Sequence, residues 1–224
     1  FGCLSDSLPG YYGLAEGSWK YFASSWGVDF EWLKGRFKDP SWMGKNGFTL
    51  ARWWAGVLAG NEGEDAIHNA GTNLKALFVM GNGITSTAQT KKVKEALDKL
   101  ELAVFCDPFV NEGAIITDKQ DDVYILPAAT QFETAGSVTA TNRSGQWRYE
   151  VVKPMYESKP DQEIMFELAK RLGFYEQLTA GMQKGKDFVW PEDATNEIAR
   201  IIKTIGLTGW RAERLKKHTD NWHM

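Results

Sequence analysis

Cysteine is nearly absent from this 224-residue chain: Cys3 and Cys106 are the only two. They form no C-x-x-C pair and no ligand cluster, so nothing points to a zinc or iron–sulfur site built within the chain. Histidine is as sparse. His68, His218 and His223 are scattered, and neither an H-E-x-x-H helix nor a G-x-S-x-G elbow occurs, which leaves no metalloprotease or serine-hydrolase machinery to assign. No apolar run approaches the ~18 residues of a membrane span. The formal net charge is only −3 and gives no electrostatic reason to expect a nucleic-acid partner. Internal repeats and low-complexity tracts are missing as well. The carboxylate pairs Glu62/Glu64 and Asp121/Asp122 lie in polar stretches and read as solvated loop charges rather than an acid–base pair. No residue presents itself as catalytic or as a metal ligand.

What is present suits a globular core. Apolar residues make up 43% of the chain and charged residues 25%, the proportions of an ordinary folded domain. Ten tryptophans are many; they read as core and interface residues, because each buries a large apolar area. The chain opens on Phe1 rather than Met and reads as a piece of a longer polypeptide, so the missing targeting signal carries no information on compartment.

Residues 1–73 form an irregular helical segment that completes a neighbouring domain. Helical spacing runs from Ser18 to Trp26, with Ser18 as cap, and again from Thr49 to Leu58. Residues 74–224 form an α/β region. Leu74 to Met80 is a short apolar run broken by Gly81-Asn82-Gly83. Ser86 to Leu100 has helical spacing, with Thr85 or Ser86 as cap and Val93, Ala96, Leu97 and Leu100 as the buried stripe. Leu102 to Cys106 is a second apolar run, stopped at Asp107-Pro108, and Val123 to Leu126 a third, ended by Pro127. Strand, helix, strand at this spacing predicts a βαβ unit and a parallel sheet. Extended segments follow at Ser137–Thr141 and Trp147–Val152, joined by a turn at Asn142–Gly145. Three helices close the chain. The first starts at Asp161, buries Ile164, Met165, Leu168, Ala169 and Leu172, and stops at Gly173. The others run from Glu192 to Ile202 and through the basic stretch that follows Gly209.

In parallel α/β sheets ligands bind beyond the carboxyl ends of the strands. Here those ends carry Gly81-Asn82-Gly83 and Cys106-Asp107. A lone G-x-G is not a dinucleotide fingerprint. It still suits a nucleotide, since glycine lets the backbone approach a ligand and the following helix offers unpaired N–H groups. Asp107 matches the N1–H and N2–H₂ donors of a guanine, and equally a turn residue before Pro108.

Three stretches carry a resemblance: Val79-Met80-Gly81-Asn82-Gly83, Phe105-Cys106-Asp107-Pro108-Phe109, and Tyr124 through Arg143 with its Leu-Pro, Glu133, Gly136 and Asn142-Arg143. Together they resemble the molybdopterin oxidoreductase family, and within it the large catalytic subunit of formate dehydrogenases. Leu4 to Tyr11 and Pro160-Asp161-Gln162-Glu163-Ile164 support that subfamily. The resemblance implies a Rossmann-like parallel sheet with flanking helices, part of a larger multidomain enzyme. It implies a molybdopterin guanine dinucleotide with molybdenum or tungsten, and a 4Fe-4S cluster upstream of this segment. Substrate and partner are implied to be formate or CO₂ and an iron–sulfur electron-transfer subunit.

Carried over by position, Asn82 in the Gly81–Gly83 loop contacts the guanine nucleotide, Cys106 and Asp107 hold guanine and ribose, and Asp161 adds a contact. Thr134 stands where some relatives carry lysine. Arg143 helps order its loop. The metal ligands are implied to lie upstream, so the segment alone is expected to be inactive. Two other readings stay open: a segment of a nitrate or thiosulfate reductase type of molybdopterin enzyme, and a non-catalytic nucleotide-binding module. Localisation is open between the cytoplasm and, after twin-arginine export, the periplasm, with a slight preference for the latter.

Overall fold

The computed structural model describes residues 16–26, 28–35, 39–44, 51, 53–58, 74–86, 89–139, 144–179, 191–201, 209–218 and 222–223. In chain order they form α1 (Glu16–Trp26), α2 (Phe30–Lys34), a 3-10 turn at Pro40–Gly44, α3 (Ala55–Leu58), β1 (Ala76–Met80), a 3-10 turn at Ile84–Ser86, α4 (Thr90–Lys99), β2 (Leu102–Asp107), α5 (Glu112–Ile116), β3 (Val123–Pro127), β4 (Gly136–Thr139), β5 (Ser144–Arg148), α6 (Asp161–Leu172), α7 (Tyr175–Leu178), α8 (Glu192–Ile201), α9 (Ala212–Lys216) and β6 (Trp222–His223). The chain divides into two units. One takes in Gly44–Ala129 and Tyr156–Asp161, the other Ala15–Met43, Thr130–Met155 and Gln162–Met224.

The first unit carries a parallel sheet in the order β1-β2-β3. Ala76 lies opposite Leu102 and Met80 opposite Cys106; on the other side Ala103 lies opposite Val123 and Asp107 opposite Pro127. The strand–helix–strand reading of 74–107 therefore holds, and the third strand joins it in parallel. A central parallel strand is covered on both faces and can be apolar throughout. β2 is such a strand: Ala103, Val104, Phe105 and Cys106 are all buried. β3 is an edge, with Tyr124, Ile125 and Leu126 exposed.

The stripe on α4 is the expected one. Val93, Ala96 and Leu97 are fully buried and Leu100 nearly so, packed with Phe105, Val79, Ile84, Trp53 and Trp54. Glu95–Lys99 and Lys94–Asp98 pairs line its outer face at i,i+4 spacing. Asp98 also fastens the chain after α5, accepting from Thr117 Oγ1 (2.7 Å) and Asp118 N (2.8 Å). Burial alone would raise the Asp98 pKa, but bonds from Lys94, Asp118 N and Thr117 outweigh it and hold the carboxyl below its ordinary value.

The start of α4 departs from expectation. Neither Thr85 nor Ser86 caps it. Ile84 is only 2% exposed, and its burial winds Ile84–Ser86 into a 3-10 turn of its own. The Thr85 hydroxyl bonds Glu112 instead. The helix begins at Thr90, entered through Gln89 at φ +67 without a side-chain cap.

The second unit holds an antiparallel sheet, β4-β5-β6. Gly136 lies opposite Arg148, Thr139 opposite Gly145 and Ser144 opposite His223. Its core joins Trp147, Ala199, Trp210, Ala212 and Leu215. Gly145 lies flat against Trp210, where a Cβ would fall 1.9 Å from the indole ring. A smaller cluster of Ala23, Leu33 and Met43 seats α1 and α2, and Trp19 Nε1 donates to Met43 O (2.6 Å). Asp29 caps α2, accepting from Glu31 N and Trp32 N. Trp53, Trp54, Trp147 and Trp210 are all buried, in line with the core reading of the tryptophans.

Two helix readings need correction. α1 begins at Glu16, two residues before the expected cap Ser18. On α6 the residues turned fully inward are Phe166 and Ala169, while Met165 and Leu172 are 41% and 63% exposed. Phe166 packs edge-on to Tyr175 of α7, ring centroids 5.9 Å apart, and takes the inward place expected of Met165, while Ala169 is buried as expected. Gly173 ends the helix as expected, at φ +78, a conformation that favours glycine. Of the turn expected at Asn142–Gly145, residues 142 and 143 lie outside the described residues, as does the cap Thr49, while Ser144 and Gly145 already pair in β5, which runs Ser144–Arg148 and not Trp147–Val152.

Candidate functional site

The site is built at the carboxyl ends of β1 and β2. β1 leaves the sheet at Gly81, whose φ of +58 is left-handed and whose N–H donates to Cys106 O (3.0 Å). No atom lies within 4 Å of a Cβ built at Gly81, so the backbone conformation, not crowding, calls for glycine here. Asn82 follows half-buried and Gly83 exposed. The loop is drawn inward by Ile84, whose N–H donates to Asn82 O (3.1 Å).

β2 leaves the sheet at Asp107. Its Oδ1 accepts from Phe109 N (3.1 Å) and its Oδ2 from Asn111 Nδ2 (3.3 Å). The turn-residue reading of Asp107 is thus correct for one oxygen. The carboxylate is half-buried and keeps lone pairs for further donors. Cys106 beside it is 2% exposed. Burial, and second the charge of Asp161, push the Cys106 thiol above its ordinary pKa. A protonated, buried thiol is a packing residue and not a nucleophile.

Asp161 reaches the same place from the far end of the unit. Ala129 N donates to Lys159 O (2.8 Å) and Lys159 N to Pro127 O (3.2 Å), which lays residues 156–161 beside the exit of β3. Asp161 stays exposed at the rim. Its pKa is nonetheless raised, first by the burial around its carboxyl and second by the charge of Asp107. Gly81, Cys106, Asp107 and Asp161 are thereby brought together, with Asn82 tied in through Asn111. Thr134 belongs to the second unit, where its hydroxyl donates to Ala135 O (3.4 Å). Next to it Glu133, 6% exposed, accepts from Thr130 N (2.7 Å) and Met155 N (3.0 Å). Hydrogen bonds from Thr130 and Met155 hold the Glu133 carboxyl below its ordinary pKa. Arg143 lies outside the described residues.

Sequence reasoning missed Asn111 and Gly113, having left 109–121 unassigned. The signal was available: Asn111 followed by Glu112 is a helix N-terminus, with a capping side chain and an acid in the first turn. Chemically the site is acceptor-rich. It offers carboxylate oxygens and backbone carbonyls to a ligand edge that carries N–H donors. Among the described residues no group of three His, Cys, Asp or Glu could hold a metal ion, and no helix is long and apolar enough to cross a membrane.

A family model described as molybdopterin oxidoreductase matches residues 38–171. The chain is 29% identical over 222 residues to the F420-dependent formate dehydrogenase subunit alpha of Methanocaldococcus jannaschii, covering 99% of this chain and 27% of that protein. It is 27% identical to formate dehydrogenase H of Escherichia coli over 77% of this chain and 21% of that one. The formate dehydrogenase subunit alpha of Megalodesulfovibrio gigas is 30% identical, over 62% and 15% respectively. Among solved structures, acetylene hydratase from Pelobacter acetylenicus superposes with a TM-score of 0.53 at 18% identity, over 96% of this chain and 25% of that chain. The chain thus spans about a quarter or less of the length of these relatives, and the structural likeness speaks for the fold.

Proposed function

This chain belongs to the molybdopterin oxidoreductase family, and from that premise we propose that it forms part of a formate dehydrogenase catalytic subunit, in which it holds the guanine end of one molybdopterin guanine dinucleotide. The observation that carries the reading is the convergence of Gly81–Gly83, Cys106, Asp107 and Asp161 at the strand exits of one unit. The donor set fits a guanine. Asp107 faces its N1–H and N2–H₂ with one carboxylate, and a charge-assisted pair of this kind is short and directional. The open space over Gly81 leaves room for the base to lie against the backbone. Asp161 serves a further donor, a ribose hydroxyl or the exocyclic amine. The acidic residues suit the base and the sugar and not the pyrophosphate.

Bound at the far end of the dinucleotide, molybdenum or tungsten supplies the redox chemistry between formate and CO₂. The residues of this chain bind and orient the nucleotide tail, which fixes the pterin that carries the metal. A 4Fe-4S cluster and an iron–sulfur partner subunit would carry the electrons away.

Two measurements test the reading. The full-length protein releases GMP on acid hydrolysis and reduces a dye in the presence of formate; absence of GMP from an active preparation refutes the guanine assignment. The polypeptide of residues 1–224 alone gives no formate-dependent dye reduction, and turnover by it refutes the assignment of the chemistry to residues elsewhere.

A further inference from the structure

We propose that Asn111 is the positioning residue of this site, holding the Asp107 carboxylate and the Gly81–Gly83 loop in the one mutual arrangement that receives the base. The inference rests on the reading of Asp107 as base anchor and adds the residue that sets it. Asn111 is 6% exposed, and its amide is fully used. Oδ1 accepts from Gly113 N at 2.9 Å, which caps α5. Nδ2 has two hydrogens and meets two acceptors, Asn82 O at 2.8 Å and Asp107 Oδ2 at 3.3 Å. Turning the amide over would set Oδ1 against two oxygens, so chemistry dictates which atom points where.

Capping explains only the Oδ1 bond. Asp caps a helix as well as Asn, and Ser does nearly so, but neither supplies a cap acceptor and two donors from one side chain. The two donors join groups on different strands, the carbonyl of the β1 exit and the carboxylate of the β2 exit. Gly81 N to Cys106 O closes the same joint from the other side (3.0 Å). With Oδ2 held by Asn111 and Oδ1 by Phe109 N, the carboxylate plane is set before any ligand arrives. A preset acceptor avoids the ordering cost that a free side chain pays on binding.

The test separates capping from positioning in the full-length protein. GMP released by acid hydrolysis is measured per protein after extended dialysis at pH 6, 7 and 8, beside thermal melting. Asn111→Asp keeps the cap oxygen, loses both donors and places a like charge against Asp107. The charged group in contact with that position is Asp107, which itself lies within electrostatic reach of Asp161; Glu112 follows Asn111 on α5 and bonds Thr85. The expected result is a lowered melting temperature, since a buried carboxylate then meets a like charge, with GMP retention at pH 8 per folded protein reduced on the order of tenfold, as for a lost bond to a charged group. Retention recovers in part at pH 6, where a proton relieves the carboxylate pair. Asn111→Ser, which adds no charge, loses retention with the pH profile of the unaltered protein.

Full retention at pH 8 by folded Asn111→Asp, alongside loss in Asp107→Ala, overturns the positioning role and leaves the base anchor standing. Full retention in Asp107→Ala overturns the anchor and this inference with it. Should Asn111→Asp fail to fold, Asn111→Ser decides: undiminished GMP in that variant overturns the proposal.

Discussion

Replacing Gly113 by alanine probes the packing directly beneath the site. A Cβ at that position would lie 2.6 Å from Ile84 Cγ2, 2.6 Å from Phe105 Cε1 and 3.0 Å from Phe105 Cζ. Neither neighbour has room to retreat, since Ile84 is 2% and Phe105 0% exposed. Inserting a methyl group into such a core costs about 1–3 kcal/mol. Contacts of 2.6 Å to two packed side chains put this insertion in the upper part of that range, about 2–3 kcal/mol; alanine recovers up to about 1 kcal/mol through its better helix propensity, and the net destabilisation is about 1–2 kcal/mol. Hydrogen exchange followed by mass spectrometry reads this locally. Peptides covering β2 and α5 should exchange about 5- to 30-fold faster, the ratio that such an energy corresponds to. The same substitution at Gly17 of α1 is the control. Nothing lies within 4 Å of a Cβ there, so Gly17→Ala should slow exchange in α1 by up to the equivalent of about 1 kcal/mol. Unchanged or slower exchange in β2 of Gly113→Ala refutes the close contact between α5, Phe105 and the Ile84 turn.

Asp107→Asn keeps the size and the turn bond but removes the charge. GMP retention should fall by roughly 1.5–3 kcal/mol, about 10- to 100-fold, measured by acid hydrolysis after dialysis; undiminished GMP counts against the base anchor. Asp98→Ala removes two acceptor contacts between α4 and residues 117–118 and a third to Lys94 within α4 and should destabilise the first unit by about 2 kcal/mol, read as faster exchange across α4. Because the Asp98 pKa is lowered on folding, its contribution is present above the unfolded carboxylate value and is lost as pH falls through the lower, folded one. The same sign holds for Glu133: acidification, or Glu133→Gln at neutral pH, should release protection at the Thr130 and Met155 amides, and retained protection in that variant would argue against the carboxylate as the staple of its loop.

The first unit was largely legible because its signals are local. Val93, Ala96, Leu97 and Leu100 state a helix by spacing alone, and the runs at 76–80, 102–107 and 123–127 state strands by their apolar content between breakers. Both strand exits were placed correctly for the same reason. The start of α4 was not, because a good capping sequence at Thr85-Ser86 was overridden by burial of Ile84 and by the bond from Thr85 to Glu112. On α6 the apolar pattern could not distinguish Phe166 from Met165; contact with Tyr175 did.

Sequence alone determined the α/β class, a parallel sheet with its first three strands, the family motifs, and the two loops at the strand exits. These follow from residue periodicity and from short motifs, which are properties of neighbours in the chain. Only tertiary structure decided that Asp161 comes within electrostatic reach of Asp107 and Cys106. It alone decided that β4, β5 and β6 pair antiparallel, and that Asn111 reaches Asn82, 29 residues earlier in the chain, while also holding Asp107. Such contacts depend on where the backbone returns in space, and a side chain with a cap acceptor and two donors reads in sequence as one more asparagine after a turn.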